Sequence, residues 1–264
     1  MKPAGIGKVY LVGAGPGDPE LLTVKAHRLL ATAAVILHDD LVPAAILALA
    51  GPQAVIASVG KRFGAGGATQ AETNARMIES ARLGLEVVRL KGGDPGIFGR
   101  LAEEIDALEA ASVPFEVVPG ITAGIAAAAS LGVSLTDRRK AARVVVVTNH
   151  QARTEQNAAG TDWHGLIRDD STLVIYMPGH DFVSLRDELI AAGCALDMPA
   201  AIVSRASAPD QHYRFTIVGE LDKLPRMDSP AVLLVGRSLD RAHRRSNACA
   251  ALALDEAELI LSSL

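Results

Sequence analysis

VYLVGAGPGDPELLTVKA, Val9 to Ala26, sets the architecture. Val9–Val12 is a short apolar run of strand length, and it passes directly into Gly13-Ala14-Gly15-Pro16-Gly17-Asp18. A helical pattern follows over Pro19–Leu30, with Asp18 placed as N-cap and Pro19 at the first helical position, where a missing N–H is harmless. Strand, tight glycine turn and helix together form the opening of a βαβ unit, which requires further strands separated by helices.

The alternation continues outward from this segment. Ala34–Leu37, Ala54–Ala57, Glu86–Leu90 and Phe115–Val118 are strand-like, and they fall between helical patterns at Gln70–Arg82 and Glu103–Glu109. Thr69 with Glu72 has the spacing of a capping box, and Gly84 closes that helix. Beyond Gly120 an alanine-rich helix, Ala123–Leu131, leads to strands at Arg143–Thr148, Thr172–Tyr176, Ala200–Val203, Tyr213–Val218 and Ala231–Val235, with a helix over Asp181–Ala192 that ends at Gly193. The expected class is α/β with two α/β domains, 1–125 and 126–240, followed by a tail, 241–264, that carries no motif.

Composition narrows the function classes. A chain of 264 residues that is 49% hydrophobic can bury a full core. Apolar runs such as Val144–Val147 fall far short of the roughly 18 residues that cross a bilayer, so no membrane partner is expected. The first residues lack a signal-peptide pattern, which predicts a cytoplasmic protein. A net charge of −4 argues against nucleic acid as a partner. Cys194 and Cys249 have no CxxC spacing, so neither a disulfide framework nor a metal site is expected.

The glycine-rich opening admits a dinucleotide reading, because Asp39 and Asp40 follow the next strand at about the distance a ribose-binding carboxylate requires. Two features oppose it. Pro16 has no N–H to offer a phosphate, and Asp18 places negative charge at the helix N-terminus where pyrophosphate would sit. The glycines could also serve only to turn the chain.

Other segments are more specific. HDDLV (His38 to Val42), VGKR (Val59 to Arg62), a helix bearing Gln70, Glu72 and Asn74, and RLKGGDPGIFGR (Arg89 to Arg100) occur in that order. PFEVVPGITAG (Pro114 to Gly124), GVSLTDR (Gly132 to Arg138), Asp162-Trp163, TLVIYMPG (Thr172 to Gly179) and SPAVLLVGR (Ser229 to Arg237) follow. With Val9–Ala26, this series resembles the uroporphyrinogen-III C-methyltransferases of the tetrapyrrole methyltransferase family, over about residues 8 to 240.

The resemblance implies a fold of two α/β domains with the active site in the cleft between them. It implies C-methylation of uroporphyrinogen III at carbons 2 and 7, with S-adenosyl-L-methionine (AdoMet) as methyl donor, giving precorrin-2 for sirohaem, cobalamin or haem d1 and releasing S-adenosylhomocysteine. A homodimer without metal is implied as well. Cofactor contacts carry over to Pro16, Gly92, Gly93, Asp94, Ile97, Thr122, Ala123, Met177 and Ala206. Among these, Gly92 and Gly93 permit close backbone approach, Asp94 offers a hydrogen-bond acceptor and Met177 an adaptable apolar wall. The catalytic set is Asp39 as proton acceptor, Lys61 as proton donor, and Arg100 with Glu103 near the tetrapyrrole.

An arginine keeps its proton at any ordinary pH, which makes Arg100 a carboxylate clamp or electrostatic stabiliser rather than a base. Because the substrate is polyanionic and the chain is not cationic, positive charge must be local, and Lys61, Arg62, Arg100, Arg138, Arg139 and Lys140 are the candidates, with a solvated face the simpler reading for Arg139 and Lys140. His38, Gly96, Leu101-Ala102 and Asp137 depart from the family pattern, which predicts a reshaped pocket. A later precorrin C-methyltransferase is therefore the alternative within the class, and a dinucleotide-binding oxidoreductase the alternative outside it.

Overall fold

A computed structural model describes residues 5–60, 69–149, 161–246 and 248. The chain divides into two compact units, Met1–Ala123 and Gly124–Leu264. No helix among the described residues is long and apolar enough to cross a membrane.

The first unit contains β1 (Val9–Gly13), α1 (Val24–Thr32), β2 (Val35–His38), α2 (Ala44–Leu47), β3 (Val55–Ser58), α3 (Gln70–Arg82), β4 (Val87–Lys91), α4 (Leu101–Ala110) and β5 (Phe115–Val118). Its strands form one sheet in the order β3-β2-β4-β1-β5, and every pairing is parallel. Parallel strands need crossovers, so helices cover both faces and the inner strands β1, β2 and β4 are largely buried. Successive residues serve opposite cores. Val12, Ile36, Val88 and Leu90 pack with Leu29 and Leu30 of α1 and Ile46 of α2, whereas Val9, Leu11, Val35, Leu37 and Val87 pack with Met77 of α3 and Leu108 of α4.

The helix expected at Pro19–Leu30 is two pieces. Asp18 does cap Pro19–Leu21, accepting from the Glu20 N–H, but that segment is a single 3₁₀ turn that ends at the extended Leu22. A second cap, Thr23, accepts from the Ala26 N–H and starts α1. Two competent N-caps in succession restart the helix, and in the sequence only the first, Asp18-Pro19, carries the proline that marks a start. At α3 the capping box between Thr69 and Glu72 forms as expected.

The second unit opens on α5 (Ala123–Ser130) and contains β6 (Arg143–Thr148), β7 (Ser171–Tyr176), α6 (Phe182–Ala191), β8 (Pro199–Ser204), β9 (His212–Ile217) and β10 (Ala231–Val235). Its sheet runs β6-β7-β10-β8-β9 and is mixed. β6 and β7 pair in parallel, β10 is antiparallel to both β7 and β8, and β8 is antiparallel to β9. The core packs Phe182, Leu185 and Leu189 of α6 on Ile175, Ile202 and Leu233 of the sheet, beside Trp163. Trp163 is 3% exposed, and its indole N–H finds Glu188 Oε2 at 2.8 Å, as a buried indole requires.

Candidate functional site

The strand order of the first unit creates a natural ligand position. β1 is followed by α1, on one face of the sheet, and β4 by α4, on the other, and the two strands are neighbours. Connections that diverge from adjacent parallel strands leave a crevice at the carboxyl ends of those strands, the usual binding position in open α/β sheets. Gly13 to Asp18 and Gly92 to Asp94 occupy that edge.

Glycine is required there by contact. Gly15 and Gly93 exchange backbone hydrogen bonds at 3.1 and 2.8 Å, joining the turns after β1 and β4. A Cβ on Gly13 would lie 2.6 Å from the Gly93 carbonyl oxygen and 2.7 Å from Gly120 Cα, and one on Gly120 would lie 2.3 Å from that same oxygen. Three loops thus meet backbone on backbone, with Gly93 in the left-handed region at φ 68°. Asp94 braces them, its Oδ1 accepting from the Gly96 N–H at 2.8 Å and its Oδ2 from the Gly120 N–H at 3.0 Å. Pro16, Ile97, Thr122 and Ala123 are all part-buried on these same loops.

In the second unit, Met177 directly follows β7 and Ala206 lies just beyond β8. Both strands are antiparallel to β10, so the two residues are at one edge of their sheet. Met177 is 43% exposed and Ala206 is 7% exposed. Non-glycine residues with positive φ gather in these segments, namely Phe98, Arg100, Met177, Arg205 and Ser207. Such conformations cost about 1–3 kcal/mol each and concentrate where a ligand is held.

Of the catalytic residues read from sequence, Asp39 lies immediately after β2 and pairs through Oδ1 with Arg89. Arg100 is the N-cap residue of α4 at φ 56°. Its guanidinium forks onto Glu103, Nε to Oε1 at 2.8 Å and a terminal nitrogen to Oε2 at 2.6 Å. This pairing raises the pKa of Arg100 and lowers that of Glu103. Lys61 and Arg62 lie outside the described residues. Arg139 pairs with Asp137 and Lys140 with Asp240, and both residues, like Arg138, are exposed.

Arg89, Lys91 and Glu104, which are not among the site residues expected from sequence, form a buried charge cluster beside Asp39. Arg89 and Lys91 are 3% and 2% exposed, and Glu104 is fully buried. A signal was available. RLK places two cations at alternate positions of a strand that a parallel sheet buries on both faces, and a buried cation demands a buried carboxylate.

The dinucleotide reading fails on topology. In the dinucleotide-binding order the first strand pairs with the second, whereas here β4 separates β1 from β2. A parallel unit with a glycine cradle at its switch point, followed by a mixed-sheet unit, defines instead a member of the tetrapyrrole (corrin/porphyrin) methylases, to which the chain belongs by its match to that family over residues 8–222.

Individual relatives sharpen this. The chain is 42% identical over 233 residues to the S-adenosyl-L-methionine-dependent uroporphyrinogen III methyltransferase of Methanosarcina barkeri, covering 87% of this chain and 91% of that protein. It is 43% identical over 231 residues to a siroheme synthase of Zymomonas mobilis, covering 87% of this chain but 48% of that protein. The chain thus spans about half the length of the siroheme synthases it matches. The crystal structure of a Thermus thermophilus uroporphyrin-III C-methyl transferase complexed with S-adenyl homocysteine superposes with a TM-score of 0.77 at 38% identity, over 89% of this chain and 99% of that one.

Proposed function

We propose that this chain is a uroporphyrinogen-III C-methyltransferase, which transfers methyl groups from AdoMet to carbons 2 and 7 of uroporphyrinogen III and yields precorrin-2 and S-adenosylhomocysteine. The observation that carries this reading is the backbone cradle at the ends of β1, β4 and β5. Its glycines let the turns after those strands meet backbone on backbone at the carboxyl ends where open α/β sheets bind ligands, and the names of the relatives supply the donor and acceptor.

The residues present fit AdoMet. Gly92, Gly93, Thr122 and Ala123 would meet the cofactor with backbone and a hydroxyl, Pro16 and Ile97 with apolar surface. Asp94 already accepts two backbone N–H groups, so its first role is to hold the loops, and its remaining lone pairs are what it could offer a ligand. Met177 and Ala206 complete the proposed set from the second unit.

When bound, AdoMet supplies a sulfonium methyl group, whose bond to sulfur breaks, leaving the electron pair on sulfur, as a bond to an electron-rich pyrrole carbon forms. The protein's tasks are alignment and proton removal. Asp39 is proposed to take the ring proton released for each methyl gained, and Lys61 to donate where a proton is returned. Arg100 would receive a substrate carboxylate. Its present partner Glu103 is on an open surface, both side chains 51% exposed, where an ion pair is weak and exchangeable. Residues 1–125 and 126–240 acting as two domains, a homodimeric assembly and a cytoplasmic location belong to the same proposal.

The test is anaerobic incubation with AdoMet and uroporphyrinogen III, following the precorrin-2 chromophore and S-adenosylhomocysteine release. Both should appear together. Methyl transfer only to an already methylated precorrin would move the assignment to the later corrin-ring enzymes, and binding without any transfer would overturn it.

A further inference from the structure

Arg89 and Lys91 project from β4 into the face covered by α3 and α4, alternating with Leu90, which serves the opposite core. Glu104 of α4 lies between them. Its Oε1 accepts from Arg89 Nε at 2.9 Å, from Lys91 Nζ at 2.8 Å and from Gln70 Nε2 of α3 at 3.4 Å. Its Oε2 is buried without a hydrogen-bond partner among the described residues. Another nitrogen of Arg89 is turned to the carbonyls of Leu37 at 3.4 Å and Leu90 at 3.3 Å. The last reaches Asp39 Oδ1.

The guanidinium is therefore fixed from behind and along its edge, and its outward end points at Asp39. Burial, and then the charge of Arg89, lowers the pKa of Lys91, while two carboxylates against two cations keep the group formally neutral. Such a network is a poor source of stability, because apolar side chains of equal volume would serve the fold as well. What it provides is a fixed direction. Asp39 retains 29% side-chain exposure, with Oδ1 taken and Oδ2 outside that ion pair.

We infer that Arg89, backed by Glu104 and Lys91, is a positioning residue that holds Asp39 by Oδ1 so that Oδ2 is presented to the substrate proton. The inference rests on Asp39 serving as the proton acceptor proposed above. The arginine fork matters, since lysine cannot bridge Glu104 and Asp39 together.

Steady-state kinetics with uroporphyrinogen III and AdoMet, alongside S-adenosylhomocysteine binding, test it on the full chain. Arg89→Lys and the charge-balanced Arg89→Met/Glu104→Gln should each lower kcat by roughly 10²-fold, the scale of a lost general base. KM and S-adenosylhomocysteine affinity should stay within about twofold, and in an Asp39→Asn background the same replacements should cost no more than about twofold, because interacting residues are non-additive. Unchanged kcat in Arg89→Lys, or an undiminished loss when added to Asp39→Asn, overturns the positioning role. Should the double variant fail to fold, Arg89→Lys alone decides. Wild-type kcat in Asp39→Asn would instead remove the acceptor assignment, a separate failure.

Discussion

The backbone N–H of Gly120 donates to Asp94 Oδ2 at 3.0 Å, tying the turn after β5 to the turn after β4. Since Oδ1 holds the Gly96 N–H at 2.8 Å, this one carboxylate keeps two loops of the cradle in register. Hydrogen bonds to a charged group contribute about 1.5–3 kcal/mol. Asp94→Ala should therefore lower Tm by several degrees and weaken S-adenosylhomocysteine binding by roughly tenfold or more. Calorimetric titration with thermal melts checks both, and unaltered binding in Asp94→Ala would show that the brace is dispensable.

The cradle is also intolerant of a single methyl group. A Cβ at Gly120 would sit 2.3 Å from the Gly93 oxygen and 2.9 Å from Gly13 Cα, atoms of backbone that cannot rotate away. Gly120→Ala should destabilise by about 1–3 kcal/mol through overpacking and reduce S-adenosylhomocysteine affinity with it. Gly5→Ala is the matched control, because its Cβ would meet nothing within 4 Å, and its melting temperature should not move.

Much of the fold was written in local patterns. Most of the first sheet's strands are short, largely apolar runs between helical stretches, and the capping box at Thr69 and the glycine after α3 carried their own boundaries. What periodicity does not encode is strand order. The placement of β4 between β2 and β1 depends on which crossovers pack on which face, and the antiparallel β10 on pairings distant in sequence. The split of Pro19–Leu30 into a turn and a helix is local, but Thr23 follows a stronger start signal at Asp18-Pro19 that masks it in the sequence.

The site divided in a similar way. The glycines and Asp94 were visible as a motif, but that Asp94 spends both oxygens on backbone is a tertiary fact. Arg89 stands inside the RLKGGDP motif, but its partners Asp39 and Glu104 come from β2's end and from α4. Only folding brings them within reach. Arg139 and Lys140 looked like loose cations in sequence and are held by Asp137 and Asp240.

Arg100 and Glu103 predict a separation of binding from stability. Their two-pronged pair is half exposed on both sides, so breaking it should cost less than about 1 kcal/mol of fold stability. If Arg100 receives a substrate carboxylate, Arg100→Gln should raise KM for uroporphyrinogen III about tenfold or more, with S-adenosylhomocysteine affinity unchanged. Glu103→Gln removes the competing acceptor and should leave that KM equal or lower. A KM unmoved by Arg100→Gln would take the residue out of the substrate site.

Glu116 predicts an acid-sensitive tie within the first unit. On β5 it receives Lys8, which precedes β1, at 2.7 Å, and also Lys25 of α1. The two ammonium groups hold its carboxyl down to about 2 from the ordinary 4.5, Lys25 contributing most. A depressed carboxyl pKa means that the unfolded chain binds the proton more readily, so the stabilisation is complete above about 4.5 and is lost as pH falls toward 2. Lys8, raised from 10.5 chiefly by its bond to Glu116, works in the opposite direction, its share persisting below 10.5 and fading as pH rises beyond it. Glu116→Gln removes both contributions. Its Tm should lie below that of the parent at neutral pH and converge with it as the pH is lowered through the Glu116 window, which melts across that range will show. Parallel curves for parent and variant would mean that these ion pairs, lying at a solvated surface, contribute nothing to the tie between β5, β1 and α1.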